Sequence, residues 1–342
     1  MGTFMVGQTA TKEPRARPLV GLIIATYNRA NSVSRAIESA LRQTYPNLQV
    51  AVVDDGSTDA TPTVLKSYAQ NGRIRLLRHE QNRGATASRN TGISGLGEVR
   101  LFALLDSDDV LLRDAVETLV KVLETSGDRY SLAVGWAQDI HTHEATGKEI
   151  RPGQREGTIT FDDALAGRFA GDFWVLARRD LLGDIRFEER ARGGEGAVWL
   201  QLLRQRPGWL VPNVVLEVDR TSVDRLSNTD DSRASAGGMM WVQKAMLDAG
   251  GEDLRRSHPE RYGGLLAEMA KWAALAGDGR LARAASRKSF RVAPSTRATF
   301  VLGVSMLPAW LLWRLVAIRN RVRRLSIVRR SQLRARRCAS PT

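Results

Sequence analysis

The chain has a single cysteine in 342 residues, Cys338, close to its C-terminal end. One thiol closes no intrachain disulfide and builds no cysteine-rich zinc site, so a reducing compartment is compatible with the sequence. Residues 1–18 lack the apolar core of a signal peptide and read as a disordered lead-in rich in Thr, Lys, Glu, Pro and Arg. Acidic residues are missing from 281–342, a stretch with 15 Lys and Arg. The other 280 residues carry 36 basic and 37 acidic side chains, so the net charge of +14 belongs to the C-terminal segment alone. That balance excludes a basic nucleic-acid-binding domain in the body of the protein, and no specific nucleic-acid partner is expected. No internal repeat is visible. His141 and His143 form His-x-His without a nearby cysteine or third histidine, which argues against a metal site there. His79 and His258 receive no functional assignment.

An apolar content of 43% is sufficient for a full core. Residues 19–25, 48–53, 74–77 and 101–105 are short, mostly apolar runs, as expected for strands buried on both faces. Helical patterns lie between them. The first is capped by Asn31 or Ser32 and carries Val33, Ile37, Ala40 and Leu41 on one face. Others start at Thr58 or Asp59, cover 85–93, and cover 110–124. Strands are also expected over 131–136, 173–177 and 211–218. A helix over 198–204 follows the glycine-rich loop 193–196, and helices over 234–277 are punctuated at 249–253. Strands alternating with helices imply an α/β fold with a mostly parallel sheet flanked by helices. Such sheets bind ligands beyond the carboxyl ends of their strands. The polar clusters 26–29, 54–57 and 106–109 all fall at those ends.

Asp106, Asp108 and Asp109 place three carboxylates within four positions at the end of an apolar strand. Carboxylates at the edge of a core are costly unless something positive binds there. Mg²⁺ takes one or two carboxylates and completes its shell with water and phosphate oxygens, so a metal–diphosphate site is one reading. A turn in which Asp108 or Asp109 caps a helix from Val110 is the other.

The stretches Ile24-Ala-Thr-Tyr-Asn-Arg29, Ala40-Leu-Arg-Gln-Thr-Tyr-Pro46, Val53-Asp-Asp-Gly-Ser-Thr-Asp59, Asn82-Arg-Gly-Ala-Thr-Ala-Ser-Arg-Asn90 and Leu105-Asp-Ser-Asp-Asp109 occur in this order. In order and spacing they resemble the family 2 glycosyltransferases of the GT-A fold, over about residues 19–125. The resemblance implies an inverting, metal-dependent transferase that uses a nucleotide-diphosphate sugar, with a UDP-sugar the commonest case. It implies that Thr26, Tyr27, Asn28 and Arg29 line the nucleotide pocket and that Asp55 accepts a hydrogen bond from the base. Gly84 and Arg89 border the same pocket. Asp106, with Ser107 beside it, resembles the ribose-contacting acid of the D-x-D motif. Asp108 resembles the ligand of a divalent cation, Mg²⁺ or Mn²⁺, with Asp109 as the alternative. The family's general base lies in a Glu-Asp pair before a helix containing Trp-Leu, and Gly194-Glu195-Gly196-Ala-Val-Trp199-Leu200 occupies that stretch. Glu195 is therefore the expected base, although the pair is reduced to one carboxylate. A catalytically weak nucleotide-sugar-binding protein docked at the membrane is the alternative function.

Two further departures stand out. Arg220-Thr-Ser222 has serine where the family often has histidine, leaving Arg225 as a candidate diphosphate contact. Gln205-Arg-Pro-Gly-Trp209 lacks the arginine before tryptophan of processive synthases, which favours single addition. Trp174 and Trp199 read as core residues. The loop at 26–29 has no glycine, against a sugar nucleotidyltransferase, and Gly92-Ile-Ser-Gly95-Leu-Gly97 follows a helix and is not G-x-G-x-x-G, against a dinucleotide-dependent oxidoreductase.

Residues 300–318 contain Arg314 as their only charge, with Pro308, Trp310 and Trp313 among them, and an arginine-rich tail follows. A spanning helix needs about 20 apolar residues. This run is shorter and interrupted, and tryptophan beside arginine suits the interfacial zone. The expectation is an anchor on the anionic cytoplasmic face of the membrane through 298–337, serving a glycan or lipid-linked acceptor in envelope or exopolysaccharide synthesis. A packed C-terminal helix with a solvated basic tail is the competing reading. The expected organisation is a lead-in (1–18), a GT-A domain (19–233), a helical extension (234–297) and a membrane-associated helix with basic tail (298–342).

Overall fold

A computed structural model describes residues 17–169, 171–221 and 233–315. Ser222, the candidate diphosphate contact Arg225, nearly all of the lead-in and the tail beyond 315 lie outside the described residues. The elements run β1 (Val20–Thr26), α1 (Val33–Leu41), β2 (Leu48–Asp54), α2 (Thr61–Gln70), β3 (Arg75–Arg78), α3 (Ala85–Gly95), β4 (Leu101–Asp106), β5 (Val110–Leu111) and α4 (Ala115–Thr125). They continue as β6 (Leu132–Asp139), β7 (Gly157–Ile159), α5 (Phe161–Leu165), β8 (Phe173–Arg178), α6 (Gly196–Gln205) and β9 (Gly208–Val218). Four helices close the described chain: α7 (Arg233–Ser257), α8 (Pro259–Ala276), α9 (Gly279–Val292) and α10 (Thr296–Val304).

Nine strands form one sheet in the order β3-β2-β1-β4-β8-β6-β9-β5, with β7 also paired to β9. Side chains alternate across the strands, so each apolar run feeds both faces. Leu22 and Ile24 pack with Val33 and Ile37 of α1 and with α4 on one face. Ile23 and Phe102 pack with Ile93 of α3 and Trp199 of α6 on the other. α1 buries Val33, Ala36, Ile37 and Ala40, the i, i+3, i+4, i+7 stripe of a helix packed on a sheet. β1, β2, β3 and β4 are mutually parallel. β8 is antiparallel to both β4 and β6, and β9 is parallel to β6. The carboxyl ends of β1, β2, β4, β6 and β9 therefore share one edge, and the amino end of β8 joins them.

The region after Asp109 departs from expectation. Val110 and Leu111 are a short strand paired with Glu217 and Leu216, and α4 starts at Ala115. The β9 edge recruits the two apolar residues, so Asp108 and Asp109 cap no helix at Val110. α2 likewise begins at Thr61, where the Asp59 carboxylate accepts from the Thr61 N–H at 2.8 Å. The expected break at 249–253 is absent, because a Cβ at Gly250 would meet Leu200 at 2.8 Å and the bare backbone lets α7 lie against α6. The chain turns instead at His258-Pro259. α7, α8 and α9 pack through Leu254, Tyr262, Leu266 and a run of alanines into the same core as Trp199.

Among the described residues no helix is long and apolar enough to cross a membrane. α10 ends at Val304, ahead of Pro308. Ala298, Val301 and Leu312 are buried, and the Trp313 indole donates to the Leu275 carbonyl at 2.9 Å. Phe300, Met306 and Trp310 are exposed, by 71%, 54% and 62%.

Asp163 is a buried hub on α5. Its carboxylate accepts from Thr160 N–H, closing a capping box, and from Arg151 (2.5 Å) and Arg168 (2.9 Å). Burial raises the carboxyl's pKa, but hydrogen bonds from Thr160 and Arg168 and the charge of Arg151 outweigh it and hold it below the usual aspartate range. The stabilisation is complete above the unfolded-state value of about 4 and is lost as pH falls through the lower folded-state value. Asp163→Ala is expected to destabilise the fold by about 2–4 kcal/mol at neutral pH, with the deficit shrinking in acid. Urea titrations at two pH values check both.

Candidate active site

The shared sheet edge opens into a cleft of about 1000 Å³. Its first wall is made by two loops latched to each other. Asn28 adopts a left-handed conformation (φ 51°), its N–H donates to Ser57 Oγ at 2.9 Å, and its Oδ1 accepts from Thr58 N–H at 2.9 Å. Arg29 N–H donates to Thr61 Oγ1 at 2.8 Å. Among the described residues, Asn28 is the one expected contact residue that does not line the cleft, because its side chain is used to tie these loops. Thr26 sits at the end of β1, buried, with no hydrogen-bond partner for Oγ1, and faces the cleft beside Tyr27 and Arg29.

Gly56 shapes the second loop. It has φ +74°, and a Cβ there would lie 2.6 Å from the Gln81 carbonyl carbon. Gly56→Ala is expected to cost about 3 kcal/mol through backbone strain and overlap, measured by denaturant unfolding. Next to it, the Asp55 carboxylate accepts from the N–H groups of Arg83 (2.9 Å) and Gly84 (2.7 Å). It also lies 2.7 Å from Nδ1 of His79, whose Nε2 is 2.9 Å from Thr91 Oγ1. Gly84 has φ +95° and leads into α3, whose first residue also lines the cleft. A helix amino end facing a cleft is suited to phosphate.

Arg89 organises the centre. Its side chain is 6% exposed, with Nη2 donating to Asp106 at 2.9 Å and Nη1 donating to Glu195. Glu195 stands at the N-cap of α6 but makes no capping bond, so its carboxylate is turned toward the cleft. Asp108 lies 3.7 Å from the Arg29 guanidinium, and Ser107 and Asp109 line the cleft beside it. Among the described residues no three His, Cys, Asp or Glu side chains form a closed metal cage. Asp108 and its neighbours are instead an open set of hard oxygen donors, the type that leaves most of the shell of Mg²⁺ or Mn²⁺ to water and phosphate. His141 and His143 face different acids, Asp219 and Glu217.

The sequence reading missed part of the site. Arg190 and Arg192, in the segment before Glu195, line the opposite wall with Ser235 and Met239 of α7. Thr86 and Asn90 of α3 hold that segment by hydrogen bonds to the backbone of Glu189, Ala191 and Phe187. Asp172 was missed because it precedes the one long antiparallel strand, whose amino end faces the ligand edge. His79 had a usable signal, since it directly follows a parallel strand's carboxyl end.

Residues 22–186 match the family model described as glycosyl transferase family 2. The Escherichia coli enzyme WfgD, named as a UDP-Glc:alpha-D-GlcNAc-diphosphoundecaprenol beta-1,3-glucosyltransferase, is 30% identical over 186 residues, covering 54% of this chain and 70% of the relative. The chain belongs to glycosyl transferase family 2. A Campylobacter jejuni relative, a GalNAc(5)-diNAcBac-PP-undecaprenol beta-1,3-glucosyltransferase, is 28% identical over 196 residues, covering 55% of this glycosyltransferase and 61% of the relative. The fold is similar to that of S. aureus TarS 1–349 in complex with UDP-GlcNAc, with a TM-score of 0.57 and 14% identity over 83% of this chain and 90% of that one. The expected GT-A α/β fold is thereby established.

Proposed function

We propose that this glycosyltransferase moves a sugar, with inversion, from a nucleotide-diphosphate sugar to a glycan or lipid-linked acceptor in envelope or exopolysaccharide synthesis. The observation that carries this reading is the convergence of Asp55, Arg89, Asp106 with Asp108, and Glu195 on one cleft from four separate segments. The relatives named for undecaprenol-linked acceptors support the acceptor class, and the UDP-Glc in one name supports a UDP-sugar. Thr26, Tyr27, Asp55 and Gly84 take the nucleoside, and Asp106 with Ser107 takes the ribose. Asp108 would hold the divalent cation, which would supply neutralisation of the charge that grows on the departing diphosphate. Arg29 and the amino end of α3 add fixed positive potential on the same side.

Glu195 acts on the other reactant. Its carboxylate removes the proton from the acceptor hydroxyl as that oxygen bonds the anomeric carbon. The nucleoside diphosphate leaves from the opposite face, and one displacement inverts the centre. Arg89 positions both groups, because one buried guanidinium spans Asp106 and Glu195. A thermal-shift panel of nucleotide sugars with and without Mn²⁺ tests the donor class, since a ligand of the folded state raises apparent stability. Product analysis with the stabilising donor then separates turnover from the binding-only alternative.

The tail supports a location at the cytoplasmic face of the membrane. Phe300, Met306 and Trp310 project from a segment that carries cations and no acids between 281 and 342. Aromatic insertion joined to cationic attraction, about 1 kcal/mol per cation near anionic lipid, docks such a surface. The full chain is expected to co-sediment with vesicles containing phosphatidylglycerol and not with pure phosphatidylcholine. A Phe300→Ser, Trp310→Ser double variant is expected to release it at lower salt.

A further inference from the structure

The two carboxylate oxygens of Asp55 are held unequally. Oδ1 accepts from the Arg83 N–H at 2.9 Å and lies 2.7 Å from Nδ1 of His79. Among the described residues, Oδ2 accepts from the Gly84 N–H alone, at 2.7 Å. Backbone amides only donate, so the carboxylate accepts at both oxygens, and the proton between Asp55 and His79 is assigned to Nδ1 from these partners. In the neutral ring Nε2 then accepts from the Thr91 hydroxyl at 2.9 Å. Three elements meet in this chain: Asp55 follows β2, His79 follows β3, and Thr91 lies on α3. The backbone is tied as well, with Asp55 N–H donating to the Thr26 carbonyl and His79 N–H to the Asp54 carbonyl, each at 2.9 Å. Asp55 and His79 are 2% and 8% exposed, so water is poorly placed to replace the imidazole.

We infer that His79 is a positioning residue that makes Asp55 a reader of a single N–H on the nucleobase. The inference deepens the glycosyltransferase reading and rests on it, because that reading gives the nucleoside to Asp55. An ionised carboxylate offers about four acceptor directions. Arg83 and His79 occupy two on Oδ1, and Gly84 occupies one on Oδ2. One direction is left, on Oδ2, at a residue that lines the cleft. It suits the N3–H of uracil. Cytosine has an unprotonated N3, whose lone pair faces the carboxylate's own, so the same oxygen disfavours it. The imidazole is the only side chain among these three donors. Without it Oδ1 regains a free acceptor direction, and the soft terminal torsion of aspartate lets the carboxylate turn. Orientation and selectivity are then lost together.

Titration calorimetry of the full chain with UDP and with CDP, each with Mn²⁺, tests this. The unmodified protein is expected to bind UDP about tenfold more tightly than CDP. His79→Ala is expected to weaken UDP about tenfold and CDP by less than about twofold, closing most of that gap. Asparagine carries an amide N–H at the reach of Nδ1, and His79→Asn is expected to restore UDP to within about threefold of the unmodified protein. Glutamine carries its amide at the reach of Nε2, toward Thr91, and His79→Gln is expected to stay as weak as His79→Ala. A merely structural role weakens UDP and CDP alike and does not separate asparagine from glutamine. Should His79→Ala fail to fold, the contrast between His79→Asn and His79→Gln decides. The inference is overturned if the unmodified protein does not prefer UDP, if CDP weakens in step with UDP, or if glutamine serves as well as asparagine. UDP bound and preferred, with indifferent His79 variants, removes only the role of His79. Absence of binding by any nucleoside diphosphate removes the transferase reading itself.

Discussion

Glu195→Gln is expected to lower sugar transfer by about a thousandfold while nucleoside diphosphate binding stays at the level of the unmodified enzyme. The size follows from what the substitution removes. Glutamine keeps the length and planarity of glutamate, and its amide oxygen still accepts from Arg89 Nη1, as the carboxylate does. Arg89 therefore retains its place between α6 and Asp106, and the nucleotide side of the cleft is undisturbed. Only the capacity to take a proton is lost. With Gly194 and Gly196 on either side of Glu195, no adjacent residue in the sequence substitutes for it. A steady-state assay of Glu195→Gln beside a UDP titration checks both halves. Full activity in the variant removes Glu195 as the base.

Asp108→Asn is expected to abolish the Mn²⁺-dependent part of nucleotide binding and to reduce turnover by about two to three orders of magnitude. The two effects share one cause. A carboxylate facing the diphosphate repels it unless a cation stands between them, and Arg29 at 3.7 Å offsets only part of that charge. Removing the charge leaves metal-free UDP binding undiminished. Retention of Mn²⁺ stimulation in Asp108→Asn transfers the ligand role to Asp109, which shares the cleft.

The parallel half of the sheet was readable because its strands are buried on both faces and so appear as unbroken apolar runs. The polar residues that end those runs line the cleft. Thr26, Asp55, Asp106 and Asp108 were legible by that rule alone, without any tertiary information. The rule stops where the chain reverses. β8 runs antiparallel, so Asp172 reaches the ligand edge from the strand's beginning. β5 and β7 are two and three residues long, too short for any periodicity, and exist only because β9 offers them an edge. Arg190 and Arg192 lie in irregular chain, placed by the backbone hydrogen bonds of Thr86 and Asn90, a relation invisible in sequence. The glycines at 250 and 251 misled for the opposite reason. They read as a helix break, yet close packing against α6 holds them within α7.

The central claim is that loop tips at one edge of the sheet grip the nucleoside diphosphate together with a cation. Amide hydrogen exchange with and without the most stabilising nucleoside diphosphate and Mn²⁺ tests it most directly. Protection is expected at 26–29, 55–57, 83–89 and 106–109, with Asp108→Asn erasing the last of these. Binding that leaves these four segments exchanging as in the free protein, or that protects a surface away from Asp55 and Asp108, contradicts the account.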